Sequence, residues 1–151
     1  MTMSLEQDIA QSQFTSAYQK ALINLMYTNN HVVDRMNQTF KEYEITRQQY
    51  NVLRILRGQA PSPATINLIK DRMIDRQSDA SRIVERLRLK GLIERRQNDD
   101  DRRAVEVSIT KDGLALLDSM DGDVEGFESM FMGLTPEEAH TLNVLLDKVR
   151  F

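Results

Sequence analysis

The sequence predicts a mainly α fold of the α+β kind. Helices stand at both ends, and between them two helices run straight into a single β-hairpin. Three observations predict it. Apolar residues recur at three- and four-residue steps over most of the chain. The period changes once, after Gly91, where Val105, Val107 and Ile109 alternate with Glu106 and Ser108. Cap residues mark where one helical pattern ends and the next begins.

In chain order, Leu5, Ile9, Phe14, Ala17, Tyr18, Ala21, Leu22, Leu25 and Met26 predict a first helix from Leu5 to about Thr28. Val32, Val33, Met36 and Phe40 predict a second, to about Tyr43. Thr46 and Gln49 form a capping box, with Ile45 and Tyr50 as a hydrophobic staple. The third helix then runs through Val52, Leu53, Ile55 and Leu56 to a stop at Gly58. Ser62-Pro63 supplies a start for a fourth, short helix with Ile66, Leu68, Ile69 and Met73 on its inner side. A fifth begins near Asp75 to Ser78, buries Ala80, Ile83, Val84 and Leu87, and ends at Lys90-Gly91, where glycine suits a left-handed cap. Leu92 to Glu94 and Val105 to Ile109 are the hairpin strands, around a charged tip from Arg95 to Arg103. Thr110 caps a long helix through Leu114, Leu116, Leu117 and Met120, which Gly122 and Gly126 should bend or break. Thr135-Pro136-Glu137-Glu138 is the strongest start in the chain, and the last helix is expected to bury Leu142, Leu145, Leu146 and Val149.

Composition narrows the function classes. The 151 residues contain no cysteine, which removes a thiol nucleophile, a disulfide framework and a cysteine-based zinc site. His31 and His140 are far apart in sequence, so no metal is expected. No catalytic motif and no phosphate-binding glycine loop occurs, so neither an enzyme nor a cofactor is expected. No apolar run approaches a membrane span, and the polar start, Met1 to Ala10, is unlike a signal peptide. A cytoplasmic protein without a membrane partner is the expectation. The net charge of −3 is unevenly spread: Lys70 to Arg103 holds eleven basic and eight acidic residues, leaving that segment +3 and the remainder −6. A basic patch on an acidic chain fits a nucleic-acid face.

Helix, helix, hairpin is the plan of a winged helix-turn-helix, whose second helix enters the major groove while the hairpin reaches backbone or minor groove. At about 100° per residue, the side of the fifth helix opposite Ala80, Ile83, Val84 and Leu87 carries Ser78, Arg82 and Glu85, flanked by Asp79, Ser81 and Arg86. Gln77, Ser78, Ser81 and Arg82 are small or hydrogen-bonding, which suits base reading, and arginine can take guanine O6 and N7 together. Arg76 stands at the same end. Asp79 has two open roles beside DNA: accepting from cytosine N4 or orienting an arginine.

The stretch Asp101-Arg102-Arg103-Ala104-Val105-Glu106-Val107-Ser108-Ile109-Thr110, followed by Gly113, resembles the wing signature of the MarR family (multiple antibiotic resistance regulators). Ser81-Arg82-Ile83-Val84-Glu85-Arg86-Leu87 and Lys90-Gly91-Leu92-Ile93-Glu94-Arg95 are similar to its recognition helix and exit. Ile45 to Tyr50 and Leu134 to Glu138 resemble two of its helix starts. The resemblance spans nearly the whole chain in order. It implies a homodimeric transcriptional regulator, most often a repressor, on a palindromic double-stranded DNA operator, with the terminal helices interlocked between chains. It implies Arg103 as the minor-groove arginine, Asp101 as its brace and Arg102 as a phosphate contact. The Asp99-Asp100-Asp101 triplet adds negative charge beside that tip.

The resemblance also implies a small aromatic or anionic effector near the junction of dimer core and DNA-binding lobe, where Tyr18, Tyr27, His31, Arg35, Met36 and Tyr50 are the candidates. The expected organisation is one domain, 1–151, with a winged-helix lobe at about 45–112 and dimerisation helices at about 5–35 and 113–151. The alternative is a winged-helix protein-interaction or ligand-binding module without specific DNA binding.

Overall fold

The computed structural model describes residues 4–151; Met1 to Met3 of the expected single domain lie outside the described residues. The chain divides into two compact units, with the boundary after Gln38.

In the first unit, α1 is a single turn, Leu5–Asp8, where the Gln7 side chain accepts from Ser4 N at 3.0 Å. α2 spans Ala17–Glu42 and runs past the unit boundary. The expected pair of helices is therefore corrected twice. Between α1 and α2 the chain turns at Ala10, with φ 52°. Leu5, Ile9 and Phe14 are not spaced for one continuous face, and Ser16 caps α2 by accepting from Gln19 N at 3.1 Å. No break follows Thr28, because Thr28 to His31 contains neither glycine nor proline and the backbone ladder continues through them. A Lys20–Glu6 ion pair links the two helices, and the same ammonium lies 5.8 Å from the Phe14 ring centre.

The second unit opens with α3, Arg47–Gln59, under the capping box read from sequence: Thr46 Oγ1 accepts from Gln49 N at 3.1 Å, and Gln49 Oε1 accepts from Thr46 N at 3.1 Å. α3 passes the expected stop at Gly58. It ends where Ala60, preceding Pro61, takes ψ 143°, since a residue before proline is pushed out of the helical region. The expected helix start at Ser62-Pro63 is also displaced. Ala64–Thr65 forms a short strand, β1, and Thr65 caps α4, Ile66–Arg72, by accepting from Leu68 N at 3.1 Å.

α5 is Ala80–Leu89, shorter than the expected start at Asp75 to Ser78. Those four residues form a turn in which Asp75 Oδ1 accepts from Gln77 N at 3.1 Å, and Asp79 is the cap. Gly91 takes φ 74°, the left-handed position the sequence reserves for it. β2, Ile93–Gln97, and β3, Val105–Ile109, form the hairpin, and β1 joins the other edge of β3 with Ala64 opposite Val107. All three strands are antiparallel, in the order β1-β3-β2.

Thr110 caps α6, Lys111–Glu125, and the helix tightens to a 3₁₀ segment at Gly126–Phe131, where the second helix-weakening glycine stands. α7, Pro136–Arg150, starts at the Thr135/Glu138 capping box. The core of this unit is Phe40, Val52, Leu53, Leu56, Ile69, Val84, Leu87, Val107, Leu117 and Met120, with Phe40 stacked on Tyr50 at 4.9 Å and edge-on to Phe127 at 5.6 Å. The expected burial of α7 is not met within the chain: none of its residues is buried, and Leu145 and Val149 are 53% and 72% exposed. The apolar stripe exists, with Leu142 and Leu146 half-buried, but the described elements of the second unit leave Leu145 and Val149 uncovered.

Candidate nucleic-acid interface

The helix expected to read DNA is held from behind. Ala80, Val84 and Leu87 are buried, and Ile83 is half-buried. That leaves Ser81, Arg82 and Arg86 exposed on the outer side of α5. Asp79 has a structural role that the sequence left open: its Oδ1 accepts from Arg82 N at 3.1 Å, so its carboxylate satisfies an otherwise unpaired donor at the start of α5. Ser78 departs from the outward direction expected for it. Its hydroxyl hydrogen-bonds Asp75, and together with Gln48 it holds the Asp75 carboxyl below its ordinary range. Gln77 and Arg76 are exposed in the same turn.

The hairpin tip is built on one asparagine. Asn98 Oδ1 accepts from Asp100 N at 2.8 Å and Asp101 N at 2.9 Å, and Asn98 N donates to Ala104 O at 3.0 Å. Asp101 Oδ1 then accepts from Arg103 N at 3.0 Å, and Gln97 Nε2 donates to Arg102 O at 2.7 Å. Asp101 thus braces the backbone of the tip and does not pair with a guanidinium. Asn98 is not among the residues expected to act at the tip, although an asparagine in a polar turn commonly bonds the backbone two residues on, as Asn98 does to Asp100 N.

Ion pairs sort the basic residues of the lobe. Arg88 and Arg95 both bind Glu85, at 2.8 and 3.2 Å, and Arg96 binds Glu94 at 3.2 Å. Arg88, then Arg95, pulls the Glu85 carboxyl from the ordinary 4.5 down to about 2. Arg76, Arg82, Arg86, Arg102 and Arg103 have no carboxylate within 4.0 Å among the described residues. Between Arg76 and Arg103 the unpaired arginines are thus those of the helix face, the turn before it and the wing tip; Arg47, Arg54 and Arg72, on α3 and α4, also have no carboxylate within that distance among the described residues. Those of the hairpin shaft, Arg95 and Arg96, are each ion-paired.

Two side-chain-to-backbone contacts fix the wing on α6. Thr110 Oγ1 donates to Gly91 O at 2.8 Å and also accepts from Gly113 N at 3.1 Å. Gly113 passes so close to the residue before β2 that a Cβ there would lie 2.3 Å from Leu92 O. Of the residues that end the wing signature, Gly113 is therefore a steric requirement of this joint and Thr110 its hydrogen-bonded tie.

A MarR family model matches residues 43–104, which run from the end of α2 through the wing tip. The multiple antibiotic resistance protein MarR of Salmonella typhimurium is 32% identical over 128 residues, covering 83% of this chain and 88% of that protein. The chain belongs to the MarR family. The transcriptional repressor IacR of Pseudomonas putida is 29% identical over 133 residues, 87% of this chain and 75% of that one. A solved structure of Bordetella bronchiseptica BpsR, whose DNA binding is regulated by 6-hydroxynicotinic acid, aligns with TM-score 0.73 at 27% identity, over 87% of this chain and 99% of BpsR. The winged-helix fold and a DNA-binding regulatory function follow for this MarR-family chain.

Of the five effector candidates on α2, two share one hollow. Tyr27 and His31 line a hollow of about 710 Å³ in the first unit, together with Leu5, Glu6, Lys20 and Asn24. Tyr18 is 87% exposed on α2, and Arg35 and Met36 lie farther along the same helix. Tyr50 belongs to the second unit and is buried under Phe40, which raises its hydroxyl pKa by desolvation. Its stacking makes it a core residue. No described helix is long and apolar enough to cross a membrane, and no three metal-ligating side chains converge among the described residues.

Proposed function

We propose that this chain is a cytoplasmic homodimeric repressor that reads a palindromic operator with α5 and anchors itself with the wing. The observation that carries the reading is the sorting of arginines: unpaired at Arg76, Arg82, Arg86, Arg102 and Arg103, paired along the hairpin shaft. Unpaired guanidiniums are the groups that displace counterions from phosphates and take guanine edges. Base reading falls to Gln77, Ser81 and Arg82, with Ser78 and Asp79 shaping the start of α5. Arg102 and Arg103 are the anchors, and Asp101 holds their backbone.

The dimer reading rests on apolar surface without a cover. In the second unit, Val144, Leu145 and Val149 of α7 are exposed, as are Phe131, Met132 and Leu134 just before it. In the first, Leu22, Leu25 and Met26 of α2 are likewise exposed. A second copy would bury such faces, which supports dimerisation helices at about 5–35 and 113–151 around a winged lobe at about 45–112. A repressor polarity is supported by the likeness to IacR. A small aromatic or anionic effector is supported by BpsR and by the hollow beside Tyr27, His31 and Lys20.

Footprinting of the intergenic DNA around the gene tests the reading. The expected result is protection of a palindrome with half-sites about one helical turn apart. Arg82→Ala should relax base choice at one position per half-site, while Arg102→Ala should weaken binding to all sequences alike. Absence of any protected site in that DNA would refute the reading, and equal losses on every sequence from both variants would remove Arg82 as a reader.

A further inference from the structure

The geometry points to Glu85 as a specificity-determining positioning residue, which ties the wing to the recognition helix and withholds two arginines from DNA. This inference rests on the DNA-binding reading above.

Alternation along β2 places Ile93, Arg95 and Gln97 on one side of the hairpin and Glu94 and Arg96 on the other. Ile93 and Val107, the partner of Arg95 across the ladder, are buried, so Arg95 lies on the face turned toward the core of the lobe. There its guanidinium meets Glu85 Oε2 at 3.2 Å. The same carboxylate takes a two-point contact from its own helix, Arg88 Nε at 3.0 Å and Nη2 at 2.8 Å. A two-point arginine contact fixes the plane of a carboxylate. Glu85 therefore presents an oriented acceptor to the hairpin, and Arg95 is the side chain by which the hairpin engages it.

Charge gives Glu85 its second effect. One carboxylate faces two guanidiniums, so the cluster is already cationic by one, and without Glu85 it would be cationic by two. It stands on the flank of the α5 face that carries Arg82 and Arg86. Freed arginines at that place would grip phosphates of any sequence, and phosphate contacts carry no sequence information. The pair is partly exposed, with side chains 39–45% accessible, so it adds little to folding stability. Its consequence falls on binding, through the angle of the wing and the charge beside it.

The test uses the full chain and two duplexes: one enriched by the wild-type chain from a random library, and one scrambled from it. Binding is followed by fluorescence anisotropy between about 50 and 200 mM salt, the range over which phosphate contacts dominate. Glu85→Gln is expected to melt like the wild type. It should bind the scrambled duplex about fivefold more tightly at about 0.15 M salt for each further phosphate neutralised, with a log–log salt slope steeper by about 0.9 per phosphate. The ratio of selected to scrambled affinity should fall by at least as much. Arg95→Gln cuts the tie without freeing a cation, so it should lose affinity for the selected duplex while its slope on the scrambled one does not steepen. Glu85→Gln with wild-type ratio and slope overturns the inference. If that variant does not fold, Arg95→Gln decides, and wild-type affinity for the selected duplex then overturns it. Failure of the wild-type chain to enrich any duplex is a separate outcome: it refutes the DNA-binding reading and removes the inference with it.

Discussion

Replacing Gly113 with alanine should destabilise the protein through the joint between wing and α6. The new methyl would lie 2.3 Å from Leu92 O and 2.7 Å from Ile109 Cγ1. A side chain could rotate away from such a contact, but the nearer atom belongs to the backbone. That carbonyl also accepts from Thr110 N at 3.1 Å, so displacing it strains the hydrogen bond that closes the strand onto the helix. Forcing an extra carbon into packed structure costs about 1–3 kcal/mol, and a weakened hydrogen bond adds about 0.5–1.5 kcal/mol. Alanine returns up to about 1 kcal/mol through its better helix propensity. The net loss is about 2 kcal/mol, which lowers the melting temperature by about 4–8 °C in a chain of this size. Calorimetry at fixed protein concentration measures it. Gly122→Ala is the internal control: it lies in the same helix with nothing within 4 Å of the added carbon, and should be more stable by about 0.5–1 kcal/mol. Equal melting temperatures for Gly113→Ala and the wild type would show that the close approach to Leu92 does not constrain the fold.

Three further outcomes follow from the same geometry. Asp79→Ala should lose about 1 kcal/mol of stability as the α5 cap disappears, whereas Asp79→Asn should keep the cap and bind scrambled DNA more tightly; equal stability for the two variants in urea melts would remove the capping role. The Glu85 carboxyl should titrate near pH 2 by NMR, and Arg88→Gln should raise that midpoint more than Arg95→Gln, because Arg88 is the larger cause of the depression. Since its folded pKa is lowered, the tie contributes above the ordinary carboxylate range near 4.5 and is lost as pH falls toward 2; an unshifted midpoint would show that neither arginine engages it in solution. Leu145→Asp with Val149→Asp should convert the species seen by light scattering from dimer to monomer without unfolding the winged lobe, and an unchanged mass would remove α7 from the interface.

The parts of the fold that were legible in the sequence are those governed by local chemistry. The Thr46 and Thr135 boxes fix where α3 and α7 begin, because each needs only a hydroxyl and an amide or carboxylate three residues on. Gly91 was legible because a positive φ leaves few residue types to choose from. β1 was not: two residues have no period, and Ala64 and Thr65 are extended only because β3 offers them an edge. The start of α5 was ambiguous because Asp75, Ser78 and Asp79 are all competent caps, and the competition was resolved when Asp75 closed the preceding turn. The Glu85–Arg95 pair joins residues in different elements, and no spacing rule announces it. For α7, periodicity showed that one face is apolar but not which molecule covers it.

The bare arginines on a chain of net charge −3 also shape how an encounter with DNA begins. At distances beyond about 8 Å, the screening length at physiological salt, little field of either sign survives. Inside that range a molecule arriving with its acidic remainder toward the duplex is repelled, and one arriving with helix face and wing tip forward is drawn in. Orientation is thus selected in the last ångströms of diffusion, before any base is touched. Neutralising acidic residues far from the lobe should quicken arrival on every sequence alike, and the time spent on wrong sequences would lengthen with it.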